Sequence, residues 1–377
     1  MADDAKPLFY IKYLSQDTLP DWNKVAGLSD EIWAFHDIAL SDFWAKRKNA
    51  EKRSFIVYNV DTQPIAICPL YFYSDDWNRF ILRNKRTLES FYLSGPAIKN
   101  GLNEKTRRKL IHYIGNTIRE IGDSLKIDVG QIGTSTLSKR NTETHYAYVN
   151  PLLEMRGDWE SIETTFLYLS LASPEDELLK RMETRTRSII TKIEKEQKIK
   201  TRAATPYDLD AIWNVYVDIY KRTGLPFFPK DEMEWLLSYK NSNFYVAEID
   251  NVIVSAINML TYGSGGLYFS SYTAAAFVDT EVATYLLWHT LKEEKKKGVI
   301  HIDLGHRPFG SLGEKKDNIA RFLRGYGGEL RYRYRMQYVK PGYGIKFLRL
   351  WDYKITPPLA LLRVKILSKT KKILGKR

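Results

Sequence analysis

The residues best placed to do chemistry lie at 302–307. Ile302-Asp303-Leu304-Gly305-His306-Arg307 reads as a buried strand that ends at a glycine and leads into a loop. His306, in that loop, could serve as a general base at neutral pH, as histidines commonly do, although an isolated loop histidine is more often a surface residue. Asp303 is a candidate for the same task or for orienting an amine. An equivalent aspartate recurs in Ile127-Asp128-Val129-Gly130, which favours a shared structural duty such as capping a turn. Tyr268 and Tyr272 alternate on an earlier strand and are expected to share a face, where core packing competes with substrate stacking. A second group is basic: between Lys180 and Arg202, nine Lys or Arg accompany three acidic residues. Arg187 and Lys192 sit five apart on a helix and do not share one narrow stripe. Both could still edge a groove that holds diphosphate oxygens, for which arginine is the better bidentate ligand. A solvated basic helix is the plainer alternative.

Other chemistries find little support. The six histidines, His36, His112, His145, His289, His301 and His306, show no metal-ligand spacing, so no metal site is expected. No serine nucleophile elbow is present. The single cysteine, Cys68, lies in an apolar strand run and reads as a small buried hydrophobe.

The elements that must position these groups come in two similar series. Residues 55–73 and 244–262 each read as an apolar strand, a tight polar turn at Asp61-Thr62-Gln63 or Asp250-Asn251, and a second apolar strand. Each hairpin is followed by an amphipathic helix and a strand ending in Ile-Asp-x-Gly. That ending begins 72 residues after Phe55 in one series and 58 after Phe244 in the other. The surplus is expected in the loop from Trp77 to Arg86. A duplicated domain is the economical reading, with boundaries at 1–168 and 169–345. In the first, Trp33, Phe35, Phe43 and Trp44 mark a helical stretch, Tyr92 to Pro96 reads as a strand, and Leu110, Ile111, Ile114, Ile118 and Ile121 line one helical face. In the second, one helix is expected from Pro174 to about Lys198, with Ser173 as N-cap, and another from Tyr207 to Arg222. Strand Glu329–Val339 alternates Arg331, Arg333 and Arg335 with Tyr332, Tyr334 and Met336, giving a half-buried strand with a basic face. This order differs from a doubly wound nucleotide fold, which repeats strand and helix strictly.

At 377 residues the chain can build two substantial cores. Apolar and charged fractions of 44% and 27% suit a soluble globular protein. One cysteine fits a reducing compartment. No segment approaches the ~20 apolar residues that span a bilayer, and the acidic N-terminus lacks a signal core. A cytoplasmic protein is expected. The net charge of +13 is uneven, with seven basic and no acidic residues in 359–377. Apolar Leu359, Leu362, Ile366, Ile373 and Leu374 recur there at helical intervals. A basic amphipathic tail over 346–377 could touch an anionic membrane surface, peripheral to an inner membrane; a solvated or docked tail is the alternative.

Three stretches together resemble the Fem-like branch of GNAT-fold acyltransferases and the related acetyltransferase domains of envelope polysaccharide clusters. They are the basic helix from Leu178 through Lys195, Ile302 to Arg307, and Arg321-Phe322-Leu323-Arg324-Gly325-Tyr326-Gly327-Gly328. Tyr220 to Leu225 is a weaker fourth match. The resemblance covers most of residues 170–340 and, through the repeat, loosely the first half. It implies an α/β fold of the α+β type: two tandem GNAT-like domains, each a mixed, mainly antiparallel sheet flanked by helices. It also implies an enzyme working chiefly by positioning, an acyl- or aminoacyltransferase. The product would be an amide on an amine of an anionic envelope precursor such as a nucleotide- or lipid-diphosphate-linked glycan, as in peptidoglycan or polysaccharide synthesis. The donor would be aminoacyl-tRNA or acetyl-coenzyme A, with no cofactor bound permanently. Carried over by position, Arg222, Arg307 and Arg324 are anion contacts. Leu323 replaces a family lysine, so any help to a developing oxyanion passes to Arg324 or is absent. The glycine loop that grips coenzyme A diphosphate is missing from Ser270 to Thr280, which disfavours that donor. An acetyl-coenzyme A-dependent sugar-amine N-acetyltransferase and a non-catalytic RNA- or membrane-binding protein are the alternatives.

Overall fold

The computed structural model describes residues 8–75, 85–91, 94–143, 150–155, 157–223, 229–306, 319 and 321–339, the side chains of 220–223 and 306 excepted. In chain order the elements are β1 (Phe9–Tyr13), α1 (Leu19–Ala26), α2 (Ile38–Lys48), β2 (Glu51–Lys52), β3 (Phe55–Asn59), β4 (Pro64–Cys68), β5 (Tyr71–Asp75) and β6 (Lys85–Glu89). Next come β7 (Ala97–Ile98), α3 (Glu104–Ser124), β8 (Val129–Gly133), α4 (Lys139–Glu143), β9 (Trp159–Ser170), α5 (Glu175–Arg181), α6 (Thr184–Glu196) and β10 (Lys200–Ala203). The rest are α7 (Leu209–Thr223), α8 (Lys230–Ser238), β11 (Ser242–Ile249), β12 (Val252–Tyr262), β13 (Gly265–Thr273), α9 (Val282–Lys296), β14 (His301–His306) and β15 (Glu329–Val339). The chain forms two compact units, Met1–Phe166 with Arg331–Tyr343, and Leu167–Leu330 with Gly344–Arg377.

In unit 1, β3 is buried on both faces, as its unbroken run Phe55-Ile56-Val57-Tyr58 requires. It sits inside an antiparallel sheet of order β1-β3-β4-β7. The expected second strand of the first hairpin is split into β4 and β5, which lie in different sheets. The second set of strands in this unit runs β9-β15-β8-β6-β5-β2. Asn103 caps α3 by accepting the Thr106 N–H at 2.9 Å. The expected face of α3, Leu110, Ile111, Ile114, Ile118 and Ile121, is buried in the core with Leu88, Ile132, Met336 and Tyr338. Each such side chain contributes about 1.5–3 kcal/mol by leaving water. The strand expected at Tyr92–Pro96 is not seen in Ser94–Pro96, while Tyr92 and Leu93 lie outside the described residues. So do Trp77–Asn84 of the expected surplus loop and the tail at 346–377; Lys85 and Arg86 belong to β6.

Strand β15 departs from the expected division. Its residues 331–339 belong to unit 1, where Arg335 to Val339 pair antiparallel with Gly133 to Val129 of β8. Met336 and Tyr338 thereby complete a core made otherwise from the first 160 residues.

Unit 2 has the order β10-β11-β12-β13-β14-β9, antiparallel from β10 to β13 and parallel between β13 and β14. Helix α9 packs one face of this sheet through Val282, Leu286, Leu287 and Leu291. The single helix expected from Pro174 to Lys198 is two helices. Met182 and Glu183 are extended between them, with ψ of 151° and 145°. Buried Met182 enters the core, and the Glu183 N–H donates to the Gly325 carbonyl at 2.9 Å, so tertiary contacts outweigh helix propensity.

One histidine makes unit 1 sensitive to acid. His36 is buried; its Nδ1 accepts the Trp33 N–H at 3.1 Å, which puts the proton on Nε2, donating to the Gly95 carbonyl at 2.9 Å. Burial pushes its pKa down to about 4. Between the unfolded value near 6.5 and that level, the unfolded chain binds more protons. Stability is therefore full above about pH 6.5 and declines, by on the order of 3 kcal/mol, as pH falls through about 4. Urea unfolding at pH 7 and pH 4.5 should show this loss, and His36→Asn should shrink the pH difference while lowering stability at pH 7.

Candidate active site of unit 2

Strands β13 and β14 pair at Gly265↔His301, Gly266↔Ile302 and Leu267↔Asp303. Each then continues, to Thr273 and to His306, so among the described residues the ladder ends before the strands do. On the other edge of β13 the register slips: Asn258 faces Ser270, whereas Met259 faces Tyr268. Phe269 is thus the extra residue of a bulge, which bends its strand and increases its twist. The bulge therefore follows closely on the last paired residue, and beyond Leu267 and Asp303 the carboxyl ends of the two parallel strands are no longer paired with each other.

The bulge also corrects an expectation. Tyr268 and Tyr272 do not share a face. Tyr268 is paired with Met259 and packs against the α9-side core. Tyr272 is paired with Ala256 and meets Tyr216 of α7 edge-on, with centroids 4.9 Å apart. An inserted residue reverses the alternation on which the expectation rested. On the α7 side, Ser270 Oγ and Tyr272 OH are 2.6 Å apart. Fully buried Asn258 on the same side donates to Ser242 Oγ at 3.0 Å. Ser270, Tyr216 and Asn258 were not among the expected site residues. Asn258 had a legible signal, a carboxamide inside the apolar run Ala256-Ile257-Asn258-Met259; Tyr216 and Ser270 had none.

Asp303 is buried, and its Oδ1 accepts the Gly305 N–H at 2.6 Å. Gly305 has φ of +99°, a conformation that costs a side-chain-bearing residue 1 kcal/mol or so. The carboxylate thus fixes the turn at the end of β14. Asp128 has a related task, accepting the Arg86 N–H at 2.9 Å. The imidazole of His306 and all of Arg307 lie outside the described residues, as does the side chain of Arg222, whose backbone is in α7.

The basic candidates are dispersed. Arg187 is half-buried, and its Nη1 donates to the Lys180 carbonyl at 3.2 Å. Lys192 is exposed and pairs with Glu196 at 3.8 Å on its own helix. Arg324 is exposed, and its neighbour Leu323 is fully buried in the core. The position where the family places lysine therefore faces inward here. The segment around it is architectural: Tyr326 OH donates to the Thr284 carbonyl at 2.7 Å, and a Cβ on Gly325 would lie 2.4 Å from Thr186 Oγ1.

Between β13 and α9, three backbone amides have partners within the protein. The Ala275 N–H donates to Asp218 Oδ2 at 2.8 Å. The Phe277 N–H bonds the Ala274 carbonyl, and the Thr280 N–H bonds the Phe277 carbonyl. Glu281 occupies the N-cap of α9 and pairs with Arg185 at 3.3 Å. Among the described residues no cluster of His, Cys, Asp and Glu could hold a metal ion, and no helix is long and apolar enough to cross a membrane.

Unit 1 has the related parallel pair Thr87↔Val129, Leu88↔Gly130 and Glu89↔Gln131. There the Ser90 N–H continues to the Gln131 carbonyl at 3.1 Å, and Gly95 lies so close to Gly133 that a Cβ would sit 2.0 Å from its carbonyl oxygen. Glu31 accepts the Ile98 N–H at 2.9 Å and pairs with Arg107 and Arg140. Protein groups fill this end, leaving a cavity of about 20 Å³.

The chain has the GNAT-type, Fem-like fold that its motifs resemble. The structure of FemX shares it, with a TM-score of 0.64 over 91% of this chain and 99% of that chain at 10% identity. The C-terminal domain of a putative lysylphosphatidylglycerol synthetase from Agrobacterium fabrum is similar over 89% of this chain and 95% of its own, with a TM-score of 0.51 and 11% identity. No protein-family model matches the sequence, and no curated protein does. At such identities the likeness is one of fold.

Asp303 offers a direct test. Asp303→Ala should cost about 1–3 kcal/mol in chemical denaturation by stranding the Gly305 N–H, and Asp303→Asn, which keeps an acceptor, should recover much of it. Loss of turnover at unchanged stability would instead assign Asp303 to the reaction.

Proposed function

We propose that unit 2 is an acyltransferase forming an amide between an activated acyl or aminoacyl group and an amine on an anionic cell-envelope glycan precursor, nucleotide- or lipid-diphosphate-linked. The observation that carries this reading is the parting of β13 and β14 beside the Phe269 bulge. Strand amides near Ser270 and Ser271 can donate to the oxygen of a carbonyl lying across such an opening, and fixed donors of this kind stabilise the charge that develops during attack. The likeness in fold to FemX supports the same class.

The reaction needs a neutral amine, a polarised carbonyl and a near-attack separation. The amine nitrogen attacks the carbonyl carbon, the C–N bond forms and the bond to the leaving oxygen breaks. One proton leaves the nitrogen and one reaches the departing oxygen. His306, at the end of β14, is the candidate to accept the first. The hydroxyl pair of Ser270 and Tyr272 is the candidate to deliver the second. Arg187, Lys192, Arg222, Arg307 and Arg324 are candidates to hold acceptor phosphates, and Tyr268 to line the opening. Asp303 positions the turn before His306.

An aminoacyl ester on tRNA is the donor this site favours. Coenzyme A is the less favoured donor, because the Ala275, Phe277 and Thr280 amides before α9 are engaged within the protein and the carboxylates of Asp218 and Glu281 border the same segment. Turnover assays with an amine-bearing envelope precursor and charged tRNA or acetyl-coenzyme A test both halves of the reading. Transfer from charged tRNA is expected, with Tyr272→Phe lowering kcat by roughly 10²-fold at unchanged melting temperature. Transfer from acetyl-coenzyme A, or thermal stabilisation by coenzyme A alone, would overturn the choice of donor. Full activity of Tyr272→Phe and Ser270→Ala would remove the proposed proton path.

A further inference from the structure

Strand β15 carries arginines at alternate positions 331, 333 and 335, on the face opposite Met336 and Tyr338, which enter the unit 1 core. Side chains two apart on a strand share a face and are rooted about 7 Å apart. The surroundings of Arg333 and Arg335 in unit 1 hold both in place. Arg333 lies over the Phe166 ring, 5.3 Å from its centroid. Arg335 Nη1 donates to Gln131 Oε1 at 3.0 Å, while its Nε is buried without a hydrogen-bond partner. Arg53 and Arg140 also have a buried unpartnered Nε, but each has a carboxylate within salt-bridge distance. Among the described residues Arg335 forms no ion pair. Glu89, beside Gln131, is engaged elsewhere: it accepts from Lys48 at 2.7 Å and from the Tyr73 hydroxyl at 2.9 Å. A desolvated guanidinium with an open donor is unfavourable until an anion meets it.

We propose that the Arg331–Arg333–Arg335 face of β15, with Gln131, is a binding site for a diphosphate group. The fork of Arg335, oriented by Gln131, engages one phosphoryl group, and Arg333, braced on Phe166, engages the next. At the far end, Thr134, Thr136 and Asn141 line a small cleft with Arg331 and Tyr332, offering hydroxyl and amide groups to a polar ligand body. The identity of the ligand as a diphosphate-linked precursor rests on the function proposed above; the anion site itself does not. A nucleoside diphosphate sugar and a lipid diphosphate carry the same group.

Calorimetric titration of the full chain with inorganic pyrophosphate, with UDP-N-acetylglucosamine, and with phosphatidylcholine vesicles containing farnesyl diphosphate tests the site. Binding is expected, and Arg335→Gln should weaken it about tenfold or more. Arg333→Gln should act in the same direction, and Lys12→Gln, elsewhere on unit 1, should leave it unchanged. Circular dichroism checks folding; if Arg335→Gln does not fold, Gln131→Leu, which removes only the orienting acceptor, should still lower affinity. A response to the soluble sugar alone assigns a nucleotide-linked source, and a response to vesicles alone a lipid-linked one, provided Arg335→Gln abolishes it. Failure of all three probes to bind, or binding that Arg335→Gln and Gln131→Leu leave intact, overturns the proposal. No acyl donor enters these titrations, so they stand apart from the outcome of the turnover assays.

Discussion

A ladder of three residue pairs between β13 and β14 is the constraint from which the candidate site follows. Three pairs fix the parallel alignment and bury Ile302 and Leu304, yet they leave the carboxyl ends of both strands at liberty to diverge. The bulge at Phe269 turns this liberty into a defined shape. It bends β13, sends Tyr268 toward the α9 core and brings Ser270 and Tyr272 together under α7. The Asp303 carboxylate performs the matching task on β14 by fixing Gly305. Positioning here is achieved with backbone devices, as suits chemistry that depends on holding two substrates more than on a reactive side chain.

Duplication need not preserve chemistry. Unit 1 keeps the parallel pair of three and the buried aspartate at Asp128, but the corresponding end is packed with Gly95, Glu31 and Arg107. Its Ile-Asp-x-Gly repeat thus reports a shared architectural requirement, the seating of a strand against a turn.

Much of the architecture was legible because it rests on periodicity. The α3 face, the β11–β12 hairpin and β14 follow from apolar spacing that local physics enforces, whereas the second strand of the first hairpin is split between sheets and Ile127-Asp128 precede β8. What was not legible depends on residues distant in sequence. The break at Met182–Glu183 is set by Gly325, more than a hundred residues away, and the facing of Tyr268 and Tyr272 is set by a one-residue slip against β12. The basic helix drew attention through its charge count, yet Arg187 and Lys192 are occupied with their own neighbourhood. The arginines of β15 were visible as a stripe, but which core that strand completes could be seen only in three dimensions.

The return of β15 to the first unit has a consequence for biogenesis. Thr134 bonds the backbone of Tyr334, two hundred residues downstream, so this contact cannot form until that intervening stretch has been made. At ~5–20 residues per second, the ribosome needs roughly 10–40 s to travel that distance. Through this interval the nascent first unit lacks Met336 and Tyr338, and the β8 edge that β15 will occupy lies uncovered. Chaperone occupancy of that edge during synthesis, and intolerance of premature stop codons before position 339, are the natural corollaries of placing a keystone of the first unit so far downstream of its other parts.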